Sequence, residues 1–228
     1  MTETQRTVAD VIVIQTAPEG PQAKWQFIYA PGAGSNVNDP FGTYACQALA
    51  AHGIPAARFQ FPYQEAHSRR PDRPVVLQDT WRAVLDAVRH PDTNVVIGGR
   101  SMGGRVATLI VAAKSAGATG LAAIPADIAG LVAFAYPLHQ PGHPEKARVA
   151  HLADIQVPTL FLSGTRDAFG TPEEMANAAA QIEGAKLHFL EGADHGFAVL
   201  KRSGRTKEEI YQEAVAELLT FVQERGIA

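Results

Sequence analysis

The sequence predicts a three-layer α/β fold, a mainly parallel central sheet with helices on both faces. Two observations carry it. Short apolar runs rich in β-branched residues alternate along the chain with longer segments of helical spacing, which is the pattern of a parallel sheet covered on both sides. The polar loops that carry the most chemistry each follow a strand directly, and in such sheets the ligand crevice lies at the carboxyl ends of the strands. The length of 228 residues suits a single domain spanning 1–228.

Taken in order, strands are predicted over 8–14 and 25–30, divided by the Pro18-Glu19-Gly20-Pro21 turn. Pro31-Gly32-Ala33-Gly34-Ser35-Asn36 follows, then a helix over 41–52 that Gly53 closes. A strand over 54–61 leads into a polar segment, 62–74. Leu77, Trp81, Leu85 and Val88 mark one face of a helix over 75–90. Val95-Val96-Ile97 reads as a buried strand, and 105–114 as a helix. Strands over 128–135 and 158–163 come next, separated by a proline-rich loop. The segments 62–74 and 136–150 are expected to wall a pocket or form a small lid. Thr171, Pro172 and Glu174 form a helix start with a capping box. A last strand over 186–190 precedes an amphipathic helix over 207–224.

Composition narrows the function. With 46% hydrophobic and 19% charged residues this is an ordinary globular composition. A net charge of -3 gives no bulk attraction for nucleic acid or an anionic membrane, so neither is expected as a partner. The polar N-terminus lacks a secretory pattern, and no apolar run approaches the roughly 18 residues of a membrane span, so the cytoplasm is the expected location. A single cysteine, Cys46, excludes an intrachain disulfide and a cysteine-cluster metal site, and it reads as a buried structural thiol. No metal and no cofactor are expected.

The chemistry centres on Gly99-Arg100-Ser101-Met102-Gly103. It matches G-x-S-x-G in a strand–turn–helix context, the nucleophile elbow. Small residues are needed on both sides because a Cβ would collide as strand and helix approach. Alone, the pentapeptide also fits an ordinary strand-to-helix loop with Ser101 as N-cap. A phosphate loop is disfavoured, since G-x-x-x-x-G-K-[ST] is absent. A serine hydroxyl needs a base and a group to orient that base. Such folds place Ser, acid and His in that chain order. His195 lies in the loop after the last strand, and Asp167 closes the turn after the preceding one. Asp127 and Asp154 fall before strands, at the wrong end of the sheet, and Asp194 adjoins His195 too closely in sequence to aim at its ring. His188 lies inside a strand, and His52 and His90 sit at helix ends. His139 and His143 have the spacing of a zinc helix, which Pro141-Gly142 forbids. The oxyanion hole is expected from the backbone N–H groups of Met102 and Ala33. Gly32-x-Gly34 also resembles a dinucleotide fingerprint, but it lacks the third glycine and an acidic residue after the next strand.

The segments 99–105 (Gly-Arg-Ser-Met-Gly-Gly-Arg), 136–146, 158–170 and 194–197 (Asp-His-Gly-Phe) resemble a branch of small α/β-hydrolases related to dienelactone hydrolases, described mostly as predicted hydrolases. The resemblance runs from about residue 25 onward. It implies the α/β-hydrolase fold and the triad Ser101, Asp167 and His195. One departure is Pro31-Gly32 where many relatives carry His-Gly in the oxyanion loop. Eukaryotic relatives include proteins regarded as members of chromatin-associated assemblies, so fold alone does not establish activity.

The expected function is a serine hydrolase acting on a small-molecule ester. Arg100, Tyr63 and Tyr136 are candidate substrate contacts. Arg100 together with Arg69, Arg70 and Arg73 suggests a cationic pocket for a carboxylate- or phosphate-bearing ester or lactone, against the alternative of solvated or paired arginines. The rival class is a non-catalytic binding module built on the same fold. Sequence is silent on oligomeric state.

Overall fold

The computed structural model describes residues 1–90, 92–115 and 128–228. Asp127 lies outside them. Eight strands form one sheet: β1 (Thr2–Val8), β2 (Val11–Ala17), β3 (Trp25–Ala30), β4 (Ala56–Phe59), β5 (Asn94–Arg100), β6 (Ile128–Phe134), β7 (Thr159–Gly164) and β8 (Lys186–Leu190), in the order β1-β2-β4-β3-β5-β6-β7-β8. From β4 to β8 every neighbouring pair is parallel, while β1 and β2 join antiparallel at one edge. The helices are α1 (Pro40–Ala51), α2 (Pro62–Glu65), α3 (Pro74–Val88), α4 (Met102–Ser115), α5 (Pro172–Ala179) and α6 (Lys207–Glu224).

Burial explains why the central strands read as continuous apolar runs. β3, β4 and β7 are buried at every position, as expected when helices cover both faces. On one face, α3, α4 and α5 pack around Trp81, Ile110 and Met175. On the other, α1 and α6 pack around Phe41, Leu49, Leu218 and Phe221. Cys46 belongs to this second layer, and burial pushes its thiol up to about 12, consistent with an inert packing residue.

Two differences from the sequence-based expectation stand out. Residues 8–14 are not one strand: Ala9 and Asp10, both at positive φ, turn β1 into β2. β1 carries almost no apolar residues because its side chains are exposed on both faces, so the usual alternation is missing. It is tied inward by Glu3. That carboxylate accepts from the buried Arg58 guanidinium at 2.8 Å, which holds its carboxyl below the usual range. The second difference is that β5 continues through Gly98, Gly99 and Arg100, and α4 begins at once at Met102.

Among the described residues, no helix is long and apolar enough to cross a membrane.

Trp81 sets the scale of the core's contribution. It is fully buried and meets Phe59 edge-on at 4.9 Å between ring centroids. Trp81→Ala is expected to lower the unfolding free energy by about 3–5 kcal/mol, with Trp81→Phe costing clearly less. Urea denaturation of the two variants would show whether this order holds.

Candidate functional site

The site begins with a steric constraint. A Cβ on Gly99 would lie 2.4 Å from the Ala30 carbonyl oxygen, and one on Gly103 only 2.2 Å from the same atom. Any larger residue would force α4 away from β3. The short connection between β5 and α4 is a single residue, Ser101, which takes a φ of 52°. Its N–H donates to Phe134 O at 2.8 Å, and its carbonyl accepts the Arg105 N–H at 3.0 Å. Non-glycine residues rarely occupy this region, and the surrounding hydrogen bonds and contacts hold it there. The result is a partly exposed hydroxyl at the carboxyl edge of the sheet.

His195 and Asp167 converge on that hydroxyl. His195 Nε2 lies 2.9 Å from Ser101 Oγ, and Nδ1 lies 2.8 Å from Asp167 Oδ2. A carboxylate only accepts, so Nδ1 carries the hydrogen toward Asp167 and Nε2 is left to accept from the serine. The other Asp167 oxygen accepts from the Phe169 N–H at 2.8 Å, fixing the carboxylate's rotation. Asp167 is buried, while the imidazole retains some exposure. Phe169 stacks on the ring at 4.0 Å and 25°, limiting its tilt.

The two loops are held to each other. Arg166 N–H donates to Ala193 O at 2.9 Å, and Gly192 N–H to Thr165 Oγ1 at 2.8 Å. Asp194 does not compete for the ring. Its Oδ1 accepts from Gly196 N and Ala198 N at 2.8 and 2.9 Å, so it shapes the backbone that presents His195.

The loop after β3 approaches the serine from the opposite side: a Cβ on Gly32 would sit 3.5 Å from Ser101 Cβ. Met102 is the first residue of α4, so its N–H has no acceptor four residues back in the helix. The Ala33 N–H has no partner among the described residues. α2 secures this loop. Tyr63 Oη donates to Ala33 O at 2.9 Å, and Gln64 Nε2 donates to Gly32 O at 3.2 Å and also to Ser35 O. At the far end, Ser35 Oγ donates to the buried Asp39 at 3.0 Å. Asp39 also accepts from Tyr29 Oη at 2.5 Å, Gly42 N at 2.9 Å and Arg100 Nη2 at 3.1 Å.

Each candidate substrate contact has a hydrogen-bond partner within the protein. Arg100 pairs with Asp39, whose carboxylate also caps α1. Tyr63 is buried and its hydroxyl serves the loop at Ala33. Tyr136 is buried, with its hydroxyl donating to Arg148 O at 2.7 Å; burial pushes that phenol up to about 12. Arg69, Arg70 and Arg73 are exposed. The places of Asp39, Gln64 and Phe169 around the site were not anticipated from the sequence. For Asp39 a signal existed, an aspartate immediately before the proline that opens a helix.

The other histidines are engaged elsewhere. His188 meets Glu213 at 2.7 Å, and His139 is buried against Glu174 at 3.1 Å. No group of His, Cys, Asp and Glu among the described residues could hold a metal ion.

A family model described as an alpha/beta hydrolase domain matches residues 23–223. Among solved structures, an alpha-beta serine hydrolase homologue from Coxiella burnetii superposes with a TM-score of 0.69 at 21% identity, covering 95% of this chain and 97% of the other. Est1E from Butyrivibrio proteoclasticus gives 0.71 at 13%, covering 97% and 99%. A dienelactone hydrolase from Anabaena variabilis gives 0.67 at 18%, covering 94% of each chain. These likenesses establish the α/β-hydrolase fold.

A pH effect on stability follows from His151, whose Nε2 lies 2.8 Å from Thr108 Oγ1 on α4. Burial, and then the neighbouring Arg105 charge, pushes its pKa from 6.5 to about 4, with Asp154 opposing. Between those values the folded protein binds fewer protons than the unfolded chain. Its contribution to stability is full above pH 6.5 and declines as pH falls toward about 4. His151→Gln should flatten the fall in unfolding free energy between pH 6.5 and 4. Parallel pH dependences for variant and wild type would refute this.

Proposed function

Because the chain belongs to the alpha/beta hydrolase family, we propose that it is a serine hydrolase cleaving a small-molecule carboxylic ester through an acyl-enzyme. The observation that carries this reading is the continuous link from Ser101 Oγ through the His195 imidazole to Asp167 Oδ2, at 2.9 and 2.8 Å.

Ser101 Oγ attacks the ester carbonyl while His195 Nε2 takes its proton. Asp167 keeps the ring in the tautomer that can accept, and stabilises the imidazolium that forms. The N–H groups of Met102 and Ala33 receive the oxyanion of the tetrahedral intermediate. His195 then passes its proton to the departing alcohol, leaving Ser101 acylated. A water, deprotonated by the same imidazole, attacks the acyl-enzyme. The second tetrahedral intermediate collapses to the carboxylic acid and returns the proton to Ser101. Every step uses one base, one nucleophile and one pair of donors.

Tyr63 and Gln64 on α2 hold the donor loop, and Asp39 joins that loop to the residue before the nucleophile. Their role is positional. The segments 62–74 and 136–150 supply walls on either side of the cleft.

Ser101→Ala is expected to lower kcat/KM for p-nitrophenyl acetate by about four orders of magnitude or more, and Asp167→Asn by about 10⁴. Near wild-type turnover in a correctly folded Ser101→Ala protein would overturn the assignment.

A further inference from the structure

Most of the buried and half-buried arginines have a carboxylate partner, and Arg105 does not. Arg58 pairs with Glu3, Arg82 with Asp79, Arg100 with Asp39 and Arg205 with Glu213. Arg105 has no ion pair and no side-chain hydrogen bond among the described residues, and its Nε is buried without a partner. Arg82 Nε and Arg100 Nε are buried in the same way, but Arg105 is half-buried and its guanidinium keeps access to the surface with no protein acceptor, free to donate to a ligand. A second cation stands close to it. Arg148, half-buried, donates Nη1 to Pro137 O at 2.7 Å and has no carboxylate partner. Burial, and then the Arg105 charge, pushes the Arg148 guanidinium's pKa down. The Arg105 charge is also felt at Tyr136 and His151, so these groups share one small region. His151 is held toward its neutral form there, and the carboxylate felt in the cluster is the exposed Asp154, through His151.

The place matters as much as the charge. Arg105 N–H donates to Ser101 O at 3.0 Å, so the arginine stands one helical turn past the serine. Helical side chains lean toward the N-terminus of their helix, which here is the end that carries Ser101. On the facing side runs the loop that begins at Tyr136 and returns at Arg148, closed by Tyr136 Oη donating to Arg148 O and Arg148 N–H to Leu138 O, each at 2.7 Å. Two guanidinium groups without a carboxylate partner thus stand near each other, one of them on the first turn of α4.

We propose that Arg105 and Arg148 bind a phosphate monoester group carried by the substrate, so that the hydrolase selects esters of phosphorylated small molecules. Two cations without a counter-charge match a dianion, whereas a single carboxylate would leave one of them unbalanced. Guanidinium groups suit phosphate oxygens because they donate in parallel pairs. The substrate part of this inference rests on Ser101 being the nucleophile; the anion site does not.

Two measurements test it. First, inorganic phosphate, succinate and sodium chloride at matched ionic strength are compared as stabilisers in thermal unfolding of the wild type, Arg105→Gln, Arg148→Gln, Ser101→Ala and a surface control, Arg202→Gln. Phosphate should raise the Tm of the wild type, Ser101→Ala and Arg202→Gln, and raise it much less in Arg105→Gln and Arg148→Gln. No phosphate-specific rise, a rise equal in all variants, or a larger effect of succinate would overturn the phosphate site. Second, kcat/KM is compared for the butyrate monoesters of glycerol 3-phosphate and of glycerol. Wild type should favour the phosphorylated ester by about tenfold or more, and Arg105→Gln should collapse that ratio. Turnover of both esters without preference would refute the selectivity. Phosphate binding with no turnover of either ester would instead count against the hydrolase reading while leaving the anion site standing.

Discussion

The approach of α4 to the Ala30 carbonyl is the contact on which the site depends. Gly99 and Gly103 each bring their Cα to where a Cβ would lie within 2.4 Å of that oxygen. With strand and helix this close, the connecting residue has no room for a relaxed turn. Ser101 is driven to a φ of 52° and its hydroxyl is raised above the sheet edge. The same closeness sets the Met102 N–H at the open start of the helix, and sets the loop after β3 against Ser101 Cβ. The placements of the Ser101 hydroxyl and of the Met102 N–H therefore share one cause.

Around this contact the chain spends its buried polar groups on alignment rather than on stability. Asp39 gathers Tyr29, Ser35, Gly42 and Arg100, linking β3, the loop after it, α1 and the elbow through one carboxylate. Gln64 and Tyr63 hold the same loop from α2. On the other side, the turns after β7 and β8 are tied through Arg166 and Thr165, and Asp194 folds the backbone beneath the imidazole. Removing one member leaves another buried polar group unmatched, which costs more than the hydrogen bond itself.

Much of the fold and of the central constellation was legible in the sequence for identifiable reasons. Strands buried on both faces leave apolar runs, and loops at the carboxyl edge leave polar residues directly after them, so Ser101, Asp167 and His195 could be picked by place and order. β1 could not, because an exposed edge strand such as Thr-Glu-Thr-Gln-Arg-Thr-Val has no face to bury. The roles of arginines and tyrosines were also hidden. Their long side chains reach across elements, so whether Arg100 faces a ligand or Asp39 is decided by a residue distant in sequence. Arg105, adjoining the motif, carried no signal until its lack of a partner could be seen.

The central claim, that the elbow presents an activated Ser101, is tested most directly by a fluorophosphonate probe followed by peptide mass analysis. The account predicts rapid, stoichiometric modification of Ser101 in the folded protein, slowed severely in His195→Ala and abolished in Ser101→Ala. Folded wild-type protein that stays unmodified, or that carries the label on another residue, would contradict it.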